Sequence, residues 1–354
     1  MSPIPSGPGR GGSSIPQPEV EVDSLRVQHD IDLAGIEPFK TADALDVVGR
    51  LKKNMEKVII GKPAQVDMAM VCLLARGHLL LEDVPGTGKT TLAKALAKSI
   101  MGTFQRIQCT PDLLPADVTG AYVYNQKSGE FVFRPGPVFA DVVLADEINR
   151  ATPRTQSALL ECMEEYQVTL ERTTFRLPRT FMVIATQNPI EYQGTYPLPE
   201  AQKDRFLMRL KLGYLDHDEE KRMLIEQSET HPLEHVSAVL EITDVLRLQK
   251  TVRRIHIEED LLDYIVKLTG STRTDSNIHV GASPRGSLGL FRAGQAMALV
   301  RGRDYVIPHD VKEVAHSVLA HRMILKPQAG YSDEAVGDLI NTLLAKVGPL
   351  GDKR

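Results

Sequence analysis

The spacing of hydrophobic positions changes several times along the chain, and each change predicts an element. Leu45, Val48, Leu51, Met55 and Val58 recur at helical spacing, and a second helical pattern spans Pro63 to Arg76. Leu79, Leu80 and Leu81 then form an unbroken apolar run, the build of a strand buried on both faces. Helical spacing returns over Leu92 to Lys98, and Phe104 to Cys109 reads as a strand. Tyr122-Val123-Tyr124 and Phe131-Val132-Phe133 flank Asn125 to Gly129 and predict a β-hairpin. Asp141 to Ala145 and Phe181 to Ala185 are two more buried strands. Between them lie a helix from about Thr155 to Tyr166 and a second hairpin from Gln167 to Leu177, with Glu171-Arg172-Thr173 near its tip. Phe206 to Leu212 is a last short strand.

From about Gly213 the pattern is helical, without buried strands. Glu258-Glu259-Asp260 open one helix, with Leu261, Leu262, Ile265, Val266 and Leu268 as its apolar face. Ser283-Pro284-Arg285 open another, and a third runs from Pro308 to His321. The rest looks helical up to Gly348-Pro349. The expected fold class is α/β: a five-stranded parallel sheet between helices, followed by an all-α C-terminal domain. The expected organisation is a tail over 1–40, a core over 41–212, a helical domain over 213–340 and a tail over 341–354. The first 18 residues are rich in Pro, Gly and Ser and cannot bury enough apolar surface to offset the entropy of ordering.

The chemistry concentrates where strands end. After Leu79-Leu80-Leu81, the stretch Asp83-Val84-Pro85-Gly86-Thr87-Gly88-Lys89-Thr90-Thr91 leads into a helix. Strand, glycine loop, Lys-Thr and helix make a phosphate-binding loop, whose backbone N–H groups converge on an anion. In that arrangement Lys89 reaches the β and γ phosphates of ATP and the Thr90 hydroxyl ligates Mg²⁺. Asp83 stands where the signature has its first glycine, and an acid so near a polyphosphate is expected to point away from it. Asp146 and Glu147 end the next buried strand; Asp146 is expected to hold Mg²⁺ through its water shell and Glu147 to act as general base. Asn188 ends another strand and is expected to position the lytic water. Arg285 lies in a first helical turn, where a cation is disfavoured by roughly 0.3–1 kcal/mol, so an anion is expected to face it.

Composition narrows the class. Hydrophobic residues are 42% and charged residues 25% of 354, ordinary for a soluble globular protein of about two domains. A net charge of −4 argues against a dedicated nucleic-acid binder. Cys72, Cys109 and Cys162 stand singly in apolar surroundings and read as reduced core residues of a cytoplasmic protein. No apolar run reaches membrane-spanning length, and the N-terminus has no signal-like apolar segment, so no membrane insertion is expected.

Taken together, the motifs resemble those of AAA+ ATPases, and more narrowly the MoxR family. The likeness covers about residues 42 to 330 and rests on Leu81 to Thr90, Leu144 to Ala151, Ala185 to Pro189, Leu198 to Phe206 and Gly281 to Arg285. It implies that Lys89 and Thr90 belong to Walker A, Asp146 and Glu147 to Walker B, Asn188 to sensor 1, Arg285 to sensor 2 and Arg205 to the arginine finger. The two hairpins match an insert in helix 2 and the hairpin before sensor 1, both of which project into a central pore. The family implies a ring, usually a hexamer, acting as a chaperone-like remodeller with partners that carry a von Willebrand factor A domain, often in maturation or metal-cofactor insertion. Arg285 would then link the γ-phosphate to the angle of the lid; the alternative is a surface salt bridge to a neighbouring acid, worth under about 1 kcal/mol. Two other classes fit parts of the pattern. Helicase-type translocases share both hairpins, and a nucleotide-gated scaffold would share the loop.

Overall fold

The computed structural model describes residues 35–189, 194–226, 232–329 and 332–348. Of the predicted tails, residues 1–34 and 349–354 lie outside the described residues. Helices α1 (Thr41–Glu56) and α2 (Pro63–Leu74) precede β1 (Leu79–Glu82) and α3 (Lys89–Ser99). Then come β2 (Phe104–Gln108), α4 (Pro115–Thr119) and the hairpin β3 (Gly120–Asn125) and β4 (Glu130–Pro135). β5 (Val142–Asp146) and α5 (Pro153–Glu165) lead to the second hairpin, β6 (Gln167–Leu170) and β7 (Thr173–Arg176). β8 (Met182–Gln187), α6 (Glu200–Lys203) and β9 (Met208–Leu210) complete the core. The C-terminal region holds α7 (His217–Glu226), α8 (Ile242–Val252), α9 (Glu259–Thr274), α10 (Pro284–Val300), α11 (Pro308–Leu319) and α12 (Asp333–Val347). It also holds a small antiparallel ribbon of β10 (Ile278–Val280) and β11 (Ile324–Leu325), too short for any period to announce.

Five strands pair in the order β2-β5-β8-β1-β9, all parallel. Their apolar runs follow from helices covering both faces. Leu79, Leu81, Val142, Leu144, Met182 and Ile184 pack into one hydrophobic cluster with α1, α2, α3 and the C-terminal helices. The alternate residues Leu80, Val143, Ala145, Val183 and Ala185 pack into the other, with Leu159, Leu160 and Met163 of α5. Strand period two therefore decides which layer each side chain serves.

The C-terminal helices are joined to the core rather than hung from it. α10 lies against α1 and α2. Buried Asp67 of α2 takes Lys52 of α1 at 2.6 Å and Arg301, just past α10, at 3.0 Å. Two expected boundaries shift. Residues 36–40, read as tail, dock on α8: Thr251 Oγ1 accepts the Phe39 N–H at 3.0 Å and Arg247 stacks 3.7 Å over the Phe39 ring. α12 continues past residue 340 because Leu339, Ile340 and Leu343 are all buried.

Two buried histidines make stability depend on pH. His78 Nδ1 accepts the Val183 N–H at 3.0 Å, and Nε2 lies 3.0 Å from Met163 O, so the neutral ring is the one that fits. Burial pulls its pKa from 6.5 down to about 4, and burial beside Arg322 pulls His321 well below its ordinary value. As pH falls through 6.5 toward 4, the unfolded chain takes up protons that the folded chain refuses, and stability is lost across that window. Urea unfolding is expected to show a loss of about 2 kcal/mol from His78 alone between about pH 7 and pH 5. His78→Gln, though less stable at neutral pH, should lose that part of the slope.

Candidate active site

The loop after β1 has its shape from two glycines. Gly86 (φ 84°) and Gly88 (φ 88°) adopt the left-handed conformation, which costs a side chain more than it costs glycine. Gly88 caps α3, so the free N–H groups of the first turn face the loop, with Lys89, Thr90 and Thr91 half-buried there. Lys89 Nζ donates to Asp83 O at 2.7 Å and Val84 O at 2.6 Å, and Thr87 Oγ1 donates to Val84 O at 3.2 Å. Burial lowers the pKa of Lys89, against the opposing pull of Asp83, Asp146 and Glu147.

Asp83, grouped with the nucleotide-binding residues on sequence, turns its carboxylate away from the loop. Oδ2 accepts the N–H groups of Leu212 at 2.9 Å and Gly213 at 2.6 Å, and Oδ1 accepts that of Val84 at 2.8 Å. It fastens the start of the loop to the chain leaving β9, so its side chain is structural.

The parallel register pairs Leu144 with Ile184 and Ala145 with Ala185, which brings Thr186 beside Asp146. Thr186 Oγ1 donates to Asp146 Oδ1 at 2.6 Å and accepts the Glu147 N–H at 2.8 Å. Arg106 of β2 donates through Nε (3.1 Å) and Nη2 (2.6 Å) to Asp146 Oδ2. Glu147 Oε2 is held by Gln108 Nε2 at 3.1 Å and Arg150 Nε at 3.2 Å. Glu147 itself sits at φ 57°, an uncommon conformation for a residue with a side chain and a form of strain that collects at functional sites. Asn188 is buried just past β8, its carbonyl accepting Asn149 Nδ2 at 3.4 Å. The loop, Lys89, Asp146, Glu147 and Asn188 thus gather at the carboxyl ends of three neighbouring strands.

Arg205 and Arg285 do not join them. Both bind the carboxylate of Glu164, near the end of α5: Arg205 Nη2 meets Oε2 at 2.9 Å, and Arg285 Nη2 meets Oε1. Glu164 follows Met163, whose carbonyl contacts His78, the residue before β1; the N–H of Leu207 donates to His78 O at 2.9 Å. The two arginines therefore lie at the amino end of β1, while the phosphate loop follows its carboxyl end, a four-residue strand away at about 3.3 Å per residue. Of the two readings of Arg285, the structure shows the salt bridge to a neighbouring acid: the anion facing it is Glu164, not its own chain's phosphate loop. Arg322, buried in the helical region, holds the segment beside Arg205 by donating to Asp204 Oδ1 (2.8 Å), Phe206 O (2.5 Å) and Leu207 O (3.1 Å). Ser283 Oγ caps α10 and also donates to Asp204 Oδ2 at 3.0 Å.

Sequence reasoning missed Arg106, Gln108, Thr186 and Glu164. Thr186 carried a signal, being a polar residue near the carboxyl end of an otherwise apolar strand; Arg106 and Gln108 carried none, because β2 mixes polar and apolar residues like any solvated edge strand. Glu164, one of several acids on α5, carried none.

Residues 78–208 match the ATPase family associated with various cellular activities, and residues 270–342 match the AAA lid domain. A solved structure from Cytophaga hutchinsonii, described as a candidate ATPase, superposes with a TM-score of 0.81 at 41% identity, covering 87% of this chain and 96% of its own. Fold, loop and paired acids define an AAA+ ATPase. The chain is 43% identical to Chaperone MoxR1 of Mycobacterium tuberculosis, over 83% of this chain and 80% of that protein. It is 47% identical to the uncharacterized protein YeaC of Bacillus subtilis (86% and 95%) and 29% identical to Protein MoxR of Methylorubrum extorquens (80% and 90%). The chain belongs to the MoxR family of AAA+ ATPases.

Replacing Asp83 with Ala would leave the Leu212 and Gly213 N–H groups without their acceptor. Asp83→Ala is expected to lower unfolding free energy by about 1–3 kcal/mol in urea titration. An unchanged midpoint would mean the tie carries no weight.

Proposed function

We propose that this AAA+ ATPase hydrolyses Mg²⁺-bound ATP at the carboxyl edge of its own sheet and completes the site with Arg205 and Arg285 of a neighbouring copy. The observation that carries this reading is the separation of the two groups to opposite ends of β1. In a head-to-tail ring, one copy's amino edge can meet the next copy's carboxyl edge. The loop N–H groups, Lys89 and the first turn of α3 bind the polyphosphate. Thr90 and Asp146 offer a hydroxyl and a carboxylate oxygen, a donor set that suits Mg²⁺, which is commonly held by one or two carboxylates together with phosphate and water. When bound, the metal supplies charge neutralisation for the phosphates.

Glu147 takes the proton from the attacking water, and Asn188 orients that water. The strained backbone at Glu147 and its two side-chain partners, Gln108 and Arg150, support a carboxylate held in one orientation. Arg205 and Arg285 would neutralise charge developing on the neighbour's γ-phosphate. Because Arg322 and Ser283 fasten the Arg205 segment to the helical region, the two arginines would move as one body with the lid.

The work delivered is a chaperone-like remodelling of a client protein, with a von Willebrand factor A domain protein as partner. The hairpins support it. Phe133 of β4 stacks on Phe175 of β7 at 4.2 Å, so the two hairpins share a small aromatic root. Beyond that root Phe131 is 70% and Tyr124 52% exposed, apolar grips of the kind that hold an unfolded segment. Among the described residues no helix is long and apolar enough to cross a membrane. The three free, buried cysteines fit the cytoplasmic setting proposed for the protein.

Glu147→Gln should bind ATP as wild type does and lose at least about 100-fold in turnover. Near wild-type hydrolysis would remove Glu147 as the base. Arg205→Ala and Lys89→Ala proteins, each inactive alone, should regain activity when mixed, because some interfaces pair an intact arginine with an intact loop. A mixture that assembles and stays inactive would put Arg205 in its own chain's site or outside catalysis.

A further inference from the structure

Arg106 has a position that the ATPase reading does not use. It stands on the edge strand β2, whose register places it beside Leu144, two residues before Asp146. Its side chain is 46% exposed, whereas that of Asp146 is 11% exposed. Two of its N–H groups converge on one oxygen, Asp146 Oδ2, while Thr186 holds the other. Nη2 also donates to Gln108 Oε1 at 2.6 Å, and Gln108 in turn holds Glu147. Both oxygens of Asp146 are thus engaged by protein donors before any metal shell arrives.

Thr186 and Arg106 differ in what they do to a metal. The hydroxyl of Thr186 fixes one oxygen and adds no net charge. The guanidinium brings a full positive charge to the other oxygen, the atom that water around a divalent cation would need. A cation and a guanidinium cannot both sit there without mutual repulsion, and Arg106 has solvent to swing into.

We infer that Arg106 is a positioning residue that holds the Asp146 carboxylate before metal binding and competes with the Mg²⁺ shell for it. The inference rests on the reading of Asp146 as the shell residue. Two consequences follow. Without metal, Arg106 neutralises a carboxylate that would otherwise repel ATP. With metal, the guanidinium must leave Oδ2, so part of the Mg²⁺ affinity is spent on displacing it.

The two effects act together on one measurable ratio, the factor by which Mg²⁺ tightens nucleotide binding. The test uses full-length protein, a fluorescent ATP analogue and titrations in excess Mg²⁺ and in chelator. In Arg106→Gln the metal-free affinity falls and the Mg²⁺ affinity rises, so the ratio grows by about fivefold, the size of a half-exposed charge pair. Mn²⁺ binding followed by electron paramagnetic resonance should strengthen in parallel, a readout independent of turnover. Arg106→Lys keeps the charge but lacks the fork that gives two N–H groups to one oxygen. It should raise the ratio by a smaller factor, and it serves as the test if Arg106→Gln does not fold.

An unchanged ratio in a folded variant overturns the inference. If affinity drops equally with and without Mg²⁺, Arg106 touches phosphate instead, and the inference again fails. Asp146→Asn separates the foundation from the inference, because it should abolish the Mg²⁺ enhancement. If Asp146→Asn does so while Arg106→Gln leaves the ratio unchanged, only the role of Arg106 falls. If Asp146→Asn keeps the full enhancement, the metal reading fails and the inference with it.

Discussion

The register of three neighbouring parallel strands is the constraint on which the rest depends. β1, β8 and β5 lie side by side, and their carboxyl ends finish almost level, Glu82 opposite Gln187 and Ala145 opposite Ala185. A ligand outside those ends meets the phosphate loop, Asp146, Glu147 and Asn188 together, the placement general to open parallel sheets. Thr186 makes the alignment chemically sharp, because one hydroxyl bonds both the carboxylate of Asp146 and the backbone of Glu147. A one-residue slip between β5 and β8 would turn Thr186 to the other face and dissolve the arrangement.

The same parallel order creates the second feature, an arginine-bearing face at the opposite edge. Every strand must be re-entered from the amino side, so the segment before β9 and the end of α5 meet there. Arg205, Arg285 and Glu164 are the result. Glu164 gives the two cations an anion within their own chain, while Arg322 and Ser283 bind the Arg205 segment to the helical region. Core and lid are therefore tied together at the arginine-bearing face.

Most of the fold was legible in the sequence, because the buried strands are unbroken apolar runs and the helices carry clear stripes and caps. Gly86, Gly88 and Lys89 announced the loop; Asp146, Glu147 and Asn188 announced themselves as polar endings of apolar strands. Asp83 was readable only as an anomaly, since the N–H donors it serves, on Leu212 and Gly213, are 129 and 130 residues away in the chain. Arg106 was hidden for a related reason. An arginine on an edge strand reads as a solvated side chain until β2 is known to pair with β5. The sequence left two anions open for Arg285, because charge in a first turn says that an anion is near and not which one. That depends on where α10 docks, which is decided by the burial of α1 and α2 against it.

The central claim is that hydrolysis takes place between copies, with the loop and acids of one chain and the arginines of another. The most direct measurement is ATPase rate per chain as a function of protein concentration, with mass followed in parallel by sedimentation. The account predicts a rate per chain that rises with concentration and tracks the fraction assembled, with single chains binding ATP but turning it over only slowly. A rate per chain that stays constant while the protein dissociates to single chains would contradict it.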